Sequence, residues 1–316
     1  MVTKTVLITG GLGCLGGRLS KYLIDAGYQV VIGSSRQDAK LPNKLVNCSL
    51  VYTDFDDIDT LTGACRAADC VIHLATINAQ HSQDDPQLAI KVNGIGTYNL
   101  IQASVKSKVK YFLYFSTAHI YGSPLTGEID ESTLPKPLHP YAITHRLAED
   151  LLLDSISSQK IKGSVVRLSN SIGLPLIKEA NCWMLFINDA CKQAVVDRHI
   201  IIHSDPNSER DFIPISAVCE IAEYFLSNQT TADYPVFNIG SGVSYTLLQI
   251  AEMIADRCEE LFGFCPKIVY SEYNISQNLK LEYKVNKLTA EMGCVINNNL
   301  ESSIDEVLKF CNAEFG

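Results

Sequence analysis

The chain has 316 residues and sets 26 Lys and Arg against 35 Asp and Glu, a formal net charge of −9, which leaves no basic surplus to neutralise nucleic-acid phosphates. The opening apolar run, Val6–Ile8, is too short for a signal core, and no later stretch approaches membrane-spanning length, so a cytoplasmic protein is expected. The 11 cysteines are scattered singly with no C-x-x-C spacing, which excludes the usual zinc and redox motifs and points to reduced, mostly buried thiols and no metal.

Short β-branched runs alternate with longer amphipathic stretches, the rhythm of a parallel sheet crossed by helices. Thr5–Thr9 predicts a strand, Leu15–Ala26 a helix, Gln29–Ile32 and Cys48–Tyr52 two strands, and Asp57–Ala67 a helix. Cys70–Leu74 predicts the next strand, Pro86–Val105 a helix, Tyr111–Phe115 a strand, Tyr141–Ser157 a helix and Gly163–Leu168 a strand, with a proline-rich surface loop from Pro124 to Pro140. After residue 170 the rhythm weakens, and short elements are expected around Trp183–Val196, Val218–Leu226 and Leu247–Phe262. The expected fold is α/β, a doubly wound parallel Rossmann sheet over residues 1–170. A smaller C-terminal α/β substrate cap is expected over residues 171–316, its late segments returning to the first domain.

The first strand ends in Thr9-Gly10-Gly11-Leu12-Gly13-Cys14-Leu15-Gly16, which satisfies both G-x-G-x-x-G and G-x-x-G-x-x-G between a strand and a helix. The first glycines permit the tight turn, Gly13 lets backbone approach a pyrophosphate, and Gly16 lets helix and strand pack closely, while the helix N-terminus supplies free N–H groups. That setting predicts a dinucleotide site. Where an NAD-preferring unit places an acidic residue after its second strand, this chain has Gly33-Ser34-Ser35-Arg36. With no carboxylate to repel a 2′-phosphate and with Arg36 to pair with one, NADP is favoured over NAD, unless Arg36 is simply a solvated loop residue.

Further on, the chain reads Phe115-Ser116-Thr117-Ala118-His119-Ile120-Tyr121-Gly122, then Tyr141-Ala142-Ile143-Thr144-His145. With His73-Leu74-Ala75, Val92-Asn93, Gly96-Thr97, Arg167-x-x-Asn170-x-x-Gly173-x-Pro175, Arg210-Asp211-Phe212 and Asn238-Ile239-Gly240-Ser241-Gly242, this order resembles an extended short-chain dehydrogenase/reductase of the nucleotide-sugar epimerase/dehydratase group. The resemblance covers nearly the whole chain and implies a Rossmann oxidoreductase of carbohydrate biosynthesis. Its cofactor would be NAD(P), held by Gly10, Gly13, Cys14, Leu15, Gly16, Ser34, Ser35, Arg36, Asp54, Phe55, Leu74, Ala75, Thr76, Asn93, Ser116, Tyr141 and His145. For Asp54, capping of the following helix is the competing role.

The resemblance further implies Thr117, Tyr141 and His145 as catalytic residues: the tyrosine takes a hydroxyl proton while hydride leaves the sugar carbon, and the threonine holds the oxygen. The family places a lysine four residues after the tyrosine to lower its pKa, and this chain has His145 there, a weaker electrostatic aid. Thr117, His119, Asn170, Asn181 and Arg210 are implied as substrate contacts; His119 is a proton-transfer base or a polar contact to the hexose, and Arg210 binds a phosphate or pairs with Asp211. The expected activity is 4-epimerisation or ketoreduction/dehydrogenation of a nucleotide-diphosphate sugar. The alternative is a catalytically weakened NAD(P)-binding regulatory protein, kept open by His145. In the family the helices corresponding to Pro86–Val105 and Tyr141–Ser157 pair across a homodimer, which is the expected assembly, with no nucleic-acid or membrane partner.

Overall fold

Cys70–His73 and Tyr111–Thr117 are buried at every residue, the mark of strands covered on both faces, and they lie at the middle of a seven-stranded sheet. The computed structural model describes residues 4–176, 180, 182–230, 232–270 and 280–316. In chain order the elements begin β1 (Thr5–Thr9), α1 (Cys14–Asp25), β2 (Gln29–Ser34), β3 (Ser49–Tyr52), α2 (Ile58–Cys65), β4 (Cys70–His73), α3 (Ala79–Asp84), α4 (Pro86–Ala89), α5 (Thr97–Lys106) and β5 (Tyr111–Thr117). There follow β6 (Gly127–Ile129), α6 (Pro140–Ser157), β7 (Gly163–Leu168), β8 (Asn170–Ile172), α7 (Phe186–Val196), β9 (His199–Ile202), β10 (Glu209–Pro214) and α8 (Ile215–Asn228). The chain closes with β11 (Val236–Ile239), β12 (Ser244–Thr246), α9 (Leu247–Phe262), β13 (Lys267–Tyr270), β14 (Leu281–Tyr283), α10 (Asn286–Met292) and α11 (Leu300–Phe315).

These elements form two compact units, Met1–Ser123 with Leu134–Arg167 and Cys219–Phe237, and Pro124–Thr133 with Leu168–Val218 and Asn238–Gly316. The first holds the Rossmann sheet, ordered β3-β2-β1-β4-β5-β7-β11. Strands β1 to β5 pair in parallel, with Ile8 opposite both Ile32 and Ile72. Strand order reverses at β1 and β4, and ligands of such sheets bind beyond the carboxyl ends of the strands at that point. Leu7, Val71, Phe112 and Val165 pack with Leu61, Leu100 and Leu152 from helices to form its core.

The second unit is α/β as well. It has a three-stranded sheet β12-β10-β8, the parallel pairs β9–β13 and β6–β14, and a core in which Ile187, Ile250, Ile254, Ile304 and Val307 meet. The fold is thus the doubly wound sheet with a smaller α/β partner that the sequence predicts. Two details differ. Gly127–Ile129, read as loop, is a strand because it pairs with Leu281–Tyr283, a partner too remote in sequence to signal itself locally. Pro86–Val105, read as one helix, contains a π-helical run, Ile90–Gly96, between α4 and α5. Two glycines weaken the regular helix there, and Asn93 spends its side chain across the run rather than along it: its Oδ1 accepts the Ile77 N–H at 2.9 Å and its Nδ2 donates to Thr144 Oγ1 at 3.1 Å.

Candidate functional site

At the end of β1 the backbone turns at Gly10, whose φ is 72°, a left-handed conformation that glycine adopts freely. A Cβ on Gly10 would stand 2.9 Å from the Ala75 nitrogen, so this turn and the Leu74–Ala75 backbone after β4 meet with no side chain between them. Gly16 is more constrained, since its Cβ would lie 2.1 Å from the Gly10 carbonyl oxygen. Cys14 and Leu15 open α1, and no side chain caps that helix N-terminus, the kind of helix end at which backbone amides receive an anion.

Beside the turn lies a cavity of about 240 Å³. Of the residues expected to hold a cofactor, it brings together Gly10, Gly13, Ser34, Ser35, Arg36, Phe55 and Ala75. It adds Leu12, Gly33 and Thr53, which the sequence reading missed. Thr53 is 1 % exposed and its Oγ1 has no hydrogen-bond partner, an orphaned hydroxyl of the kind a ligand satisfies. Its place directly before Asp54-Phe55 was the available signal. Asp54 is not part of the lining; its carboxylate accepts the Asp56 N–H at 3.0 Å, while Asp57, not Asp54, caps α2. The bare first turn of α1, a cavity lined by hydroxyls and one guanidinium, and the Thr53 hydroxyl together fit a nicotinamide dinucleotide.

A second group gathers where β5 ends and α6 begins. Tyr141 is hydrogen-bonded to Thr117, and its ring meets that of His145 edge-on at 4.4 Å. Burial pushes the Tyr141 phenol up to about 12, against a smaller lowering by Thr117. Burial pushes His145 down to about 3, helped by the neighbouring His73, His119 and His139, so the imidazole is neutral. His145 Nδ1 lies 2.7 Å from the hydroxyl of Tyr114, whose ring stacks between those of His73 and His145. His73 is wholly internal: its nitrogens bond Thr9 Oγ1 at 2.6 Å and Thr97 Oγ1 at 2.8 Å, and burial takes it to about 3. Ser116 is buried with its Oγ unpartnered. His119 packs against His139, which itself stacks on Tyr141.

The helix carrying Tyr141 is held by a buried ion pair with no sequence signal of its own. Arg167 on β7 donates through Nη2 to Glu149 of α6 at 2.7 Å and through Nη1 to the Tyr121 hydroxyl at 2.7 Å. Burial alone would lower the guanidinium, but Glu149 outweighs it and raises it. Asn93 adds a second tie through Thr144, whose hydroxyl also bonds the Pro140 and Tyr141 carbonyls.

In the second unit, Asn170 Nδ2 donates to the Asp211 carbonyl at 2.9 Å, bracing β8 against β10. The buried Asp211 carboxylate accepts from Ser169 Oγ, from the N–H and hydroxyl of Ser241 and from the Gly242 N–H. Arg210 is not its partner. Among the described residues no ion pair holds Arg210, and burial lowers its guanidinium, which leaves a desolvated cation suited to an anionic ligand. Asn181 lies outside the described residues. Among those described, no helix is long and apolar enough to cross a membrane.

Residues 6–240 match the family described as "NAD dependent epimerase/dehydratase family". The chain is 27 % identical over 275 residues to the UDP-glucose 4-epimerase of Schizosaccharomyces pombe, covering 78 % of each chain. It is 24 % identical over 268 residues to the dTDP-glucose 4,6-dehydratase of Streptomyces niveus, covering 80 % of this chain and 77 % of that one. Among solved structures it resembles the Thermotoga maritima UDP-glucose 4-epimerase with UDP-glucose, at a TM-score of 0.81 and 23 % identity over 99 % of this chain and 100 % of that one. The UDP-N-acetylglucosamine 4-epimerase of Methanobrevibacter ruminantium gives a TM-score of 0.84 at 22 % identity, with the same coverage. At such identity these structures establish the fold, and the family match spans most of the sequence. The chain therefore belongs to the NAD dependent epimerase/dehydratase family of enzymes.

Proposed function

We propose that the protein moves a hydride between NAD(P) and one carbon of a nucleotide-diphosphate sugar, as a 4-epimerase or as a ketoreductase/dehydrogenase. The observation that carries this reading is the pairing of Tyr141 with Thr117 in the same unit as the uncapped glycine turn. The dinucleotide, when bound, supplies the hydride acceptor and donor. The first-turn amides of α1, from Cys14 and Leu15 onward, hold its pyrophosphate, and Gly10, Gly13, Gly16, Leu74, Ala75 and Thr76 form the backbone cradle. Ser34, Ser35, Arg36 and Thr53 hold the adenosine ribose; with no carboxylate among the described lining residues, this end suits a 2′-phosphate, and NADP is the preferred form. Phe55 flanks the adenine, and Asn93 acts by fixing the loop at Ile77 to α6.

Tyr141 exchanges a proton with the sugar oxygen while Thr117 steadies that oxygen. Tyr141 rests as a phenol, the form that donates a proton when a keto sugar is reduced and that must give its proton up before a sugar hydroxyl is oxidised. Arg210 binds the diphosphate, Asn170 keeps β10 in place, and His119 and Asn181 contact the sugar. The named epimerase and dehydratase relatives support a nucleotide-sugar substrate and do not favour a purely regulatory role.

A cytoplasmic homodimer completes the reading, supported by the half-exposed Leu88, Ile95 and Tyr98 before and in α5 and Ile143 and Leu147 on α6. The test is incubation with NAD or NADP and a panel of UDP- and dTDP-sugars, following nicotinamide absorbance and sugar epimers. Turnover of one such sugar is expected; no epimer and no absorbance change with any would overturn the reading.

A further inference from the structure

His145 is 2 % exposed and Tyr114 wholly buried, and within the described structure each has one polar contact, the other's. His145 Nε2 is buried with no hydrogen-bond partner. The contact between them admits two proton arrangements. If His145 Nδ1–H donated to the phenol oxygen, the phenol hydrogen would be buried without an acceptor and Nε2 would be a bare lone pair, two unmet groups at once. If the Tyr114 O–H donates to Nδ1, the phenol is satisfied and one unmet group remains, an N–H on Nε2. Unmet buried polar groups are costly, so the second arrangement prevails. The ring planes, 28° apart between Tyr114 and His145 with His73 stacked on the far side of Tyr114, hold the phenol from turning away.

We infer that Tyr114 is a positioning residue that fixes His145 as the neutral tautomer protonated on Nε2, so that the site offers one uncharged N–H donor to a ribose hydroxyl of the bound dinucleotide. This rests on the function proposed above. It preserves the hydrogen-bonding polarity of the lysine that the resemblance expects at this position while omitting its charge. The donor has nothing within the described protein to satisfy it, and a ribose hydroxyl oxygen is an acceptor of the right chemistry. Tyr114 lies three residues before Thr117 on the same strand, so one strand carries both the group that steadies the reacting oxygen and the group that sets the imidazole.

The experiment is a long-range proton–nitrogen NMR correlation of the side-chain histidines of the whole protein at neutral pH, with fluorescence titration of NADH and NADPH. In the unmodified protein His145 is expected as the Nε2–H tautomer; an Nδ1–H tautomer overturns the inference. Tyr114→Phe is expected to release the tautomer into a mixture and to weaken binding about tenfold with the circular dichroism unchanged. An unchanged tautomer and affinity in that variant overturn the inference even if the protein binds cofactor well. Should Tyr114→Phe not fold, His145→Gln, which keeps a donor, is expected to bind cofactor about tenfold more tightly than His145→Leu, and equal affinities count against the inference. If the unmodified protein binds neither NAD nor NADP, the functional reading and the ribose acceptor fall together, and the tautomer measurement still decides the role of Tyr114.

Discussion

Arg167 and Glu149 face each other with neither side chain exposed to solvent, the guanidinium forking onto one carboxylate at 2.7 and 3.1 Å. Removing Glu149 strands the Arg167 charge in the interior, which costs about 3–5 kcal/mol in comparable buried pairs, whereas Glu149 keeps Arg146 Nη1 at 3.5 Å when Arg167 is removed. Glu149→Gln is expected to lower the unfolding free energy by that order, Arg167→Met by less, and Tyr121→Phe by about 1 kcal/mol. Urea unfolding of the three variants checks this ranking; equal losses for Glu149→Gln and Tyr121→Phe would contradict it.

Acid should unfold the protein through its interior histidines. His73 and His145 both titrate near 3 in the folded state, well below the ordinary value of 6.5. The unfolded chain therefore takes up their protons first. Their neutral forms cost nothing above pH 6.5, and stability falls as pH drops from there toward 3, by about 1.4 kcal/mol per pH unit for each histidine. Between pH 7 and 5 the two together should remove about 2–4 kcal/mol. His145→Gln should halve the slope. A denaturation midpoint independent of pH across this interval would refute the assignment.

Tyr141 predicts an asymmetry between the two directions of reaction. Since its phenol is held at about 12, it is protonated throughout the neutral range. Sugar oxidation should accelerate about tenfold per pH unit up to the alkaline limit of the protein, while reduction stays flat. His145→Lys should bring the oxidative limb down toward neutrality by restoring a cation beside the phenol. The measurement is kcat/KM against pH in both directions, and a plateau in oxidation near neutral pH would rule out the phenol as proton acceptor.

Arg36 is exposed at the cavity rim, with its own N–H tied to Ser34 Oγ at 3.2 Å. Arg36→Ala is expected to weaken NADP binding by about 10- to 100-fold through loss of a charge-assisted phosphate contact and to leave NAD within about twofold. Calorimetric titration with both cofactors distinguishes this from a general loss of binding.

Ile95 is 50 % exposed and Leu147 39 % exposed. Ile95→Glu or Leu147→Glu should convert a dimer to monomer in sedimentation velocity, because a carboxylate placed in an apolar interface is not solvated. A parent protein that sediments as a monomer at micromolar concentration would remove the assembly from the reading.

The Rossmann half was largely legible because strands buried on both faces announce themselves as apolar runs: Thr5–Thr9 and Gly163–Leu168 coincide with β1 and β7. The glycine turn was legible because its residue types are dictated by backbone contacts that no side chain tolerates, as at Gly16. What escaped is what depends on distant partners. Arg167 carries no local mark of its pairing with Glu149, and Thr53, hinted at only by its place before Asp54-Phe55, is singled out by the cavity it lines. The substitution at residue 145 was visible, whereas Tyr114, the group that determines how the imidazole is protonated, looked like one more apolar strand residue.

The π-helical run at Ile90–Gly96 acts locally. A wide turn of this kind holds one residue more than an α-helical turn, so deleting a single residue there would let the chain wind regularly without rotating the faces of α5, whereas the same deletion in a regular α-helix would swing them by about 100°. Leu100, Ile101 and Ser104 would keep their buried face, and what would be lost is the placing of Asn93 against Ile77 and Thr144. The wide turn thus serves the tie from Asn93 to α6 rather than the packing of α5, although it lies far in sequence from Tyr141.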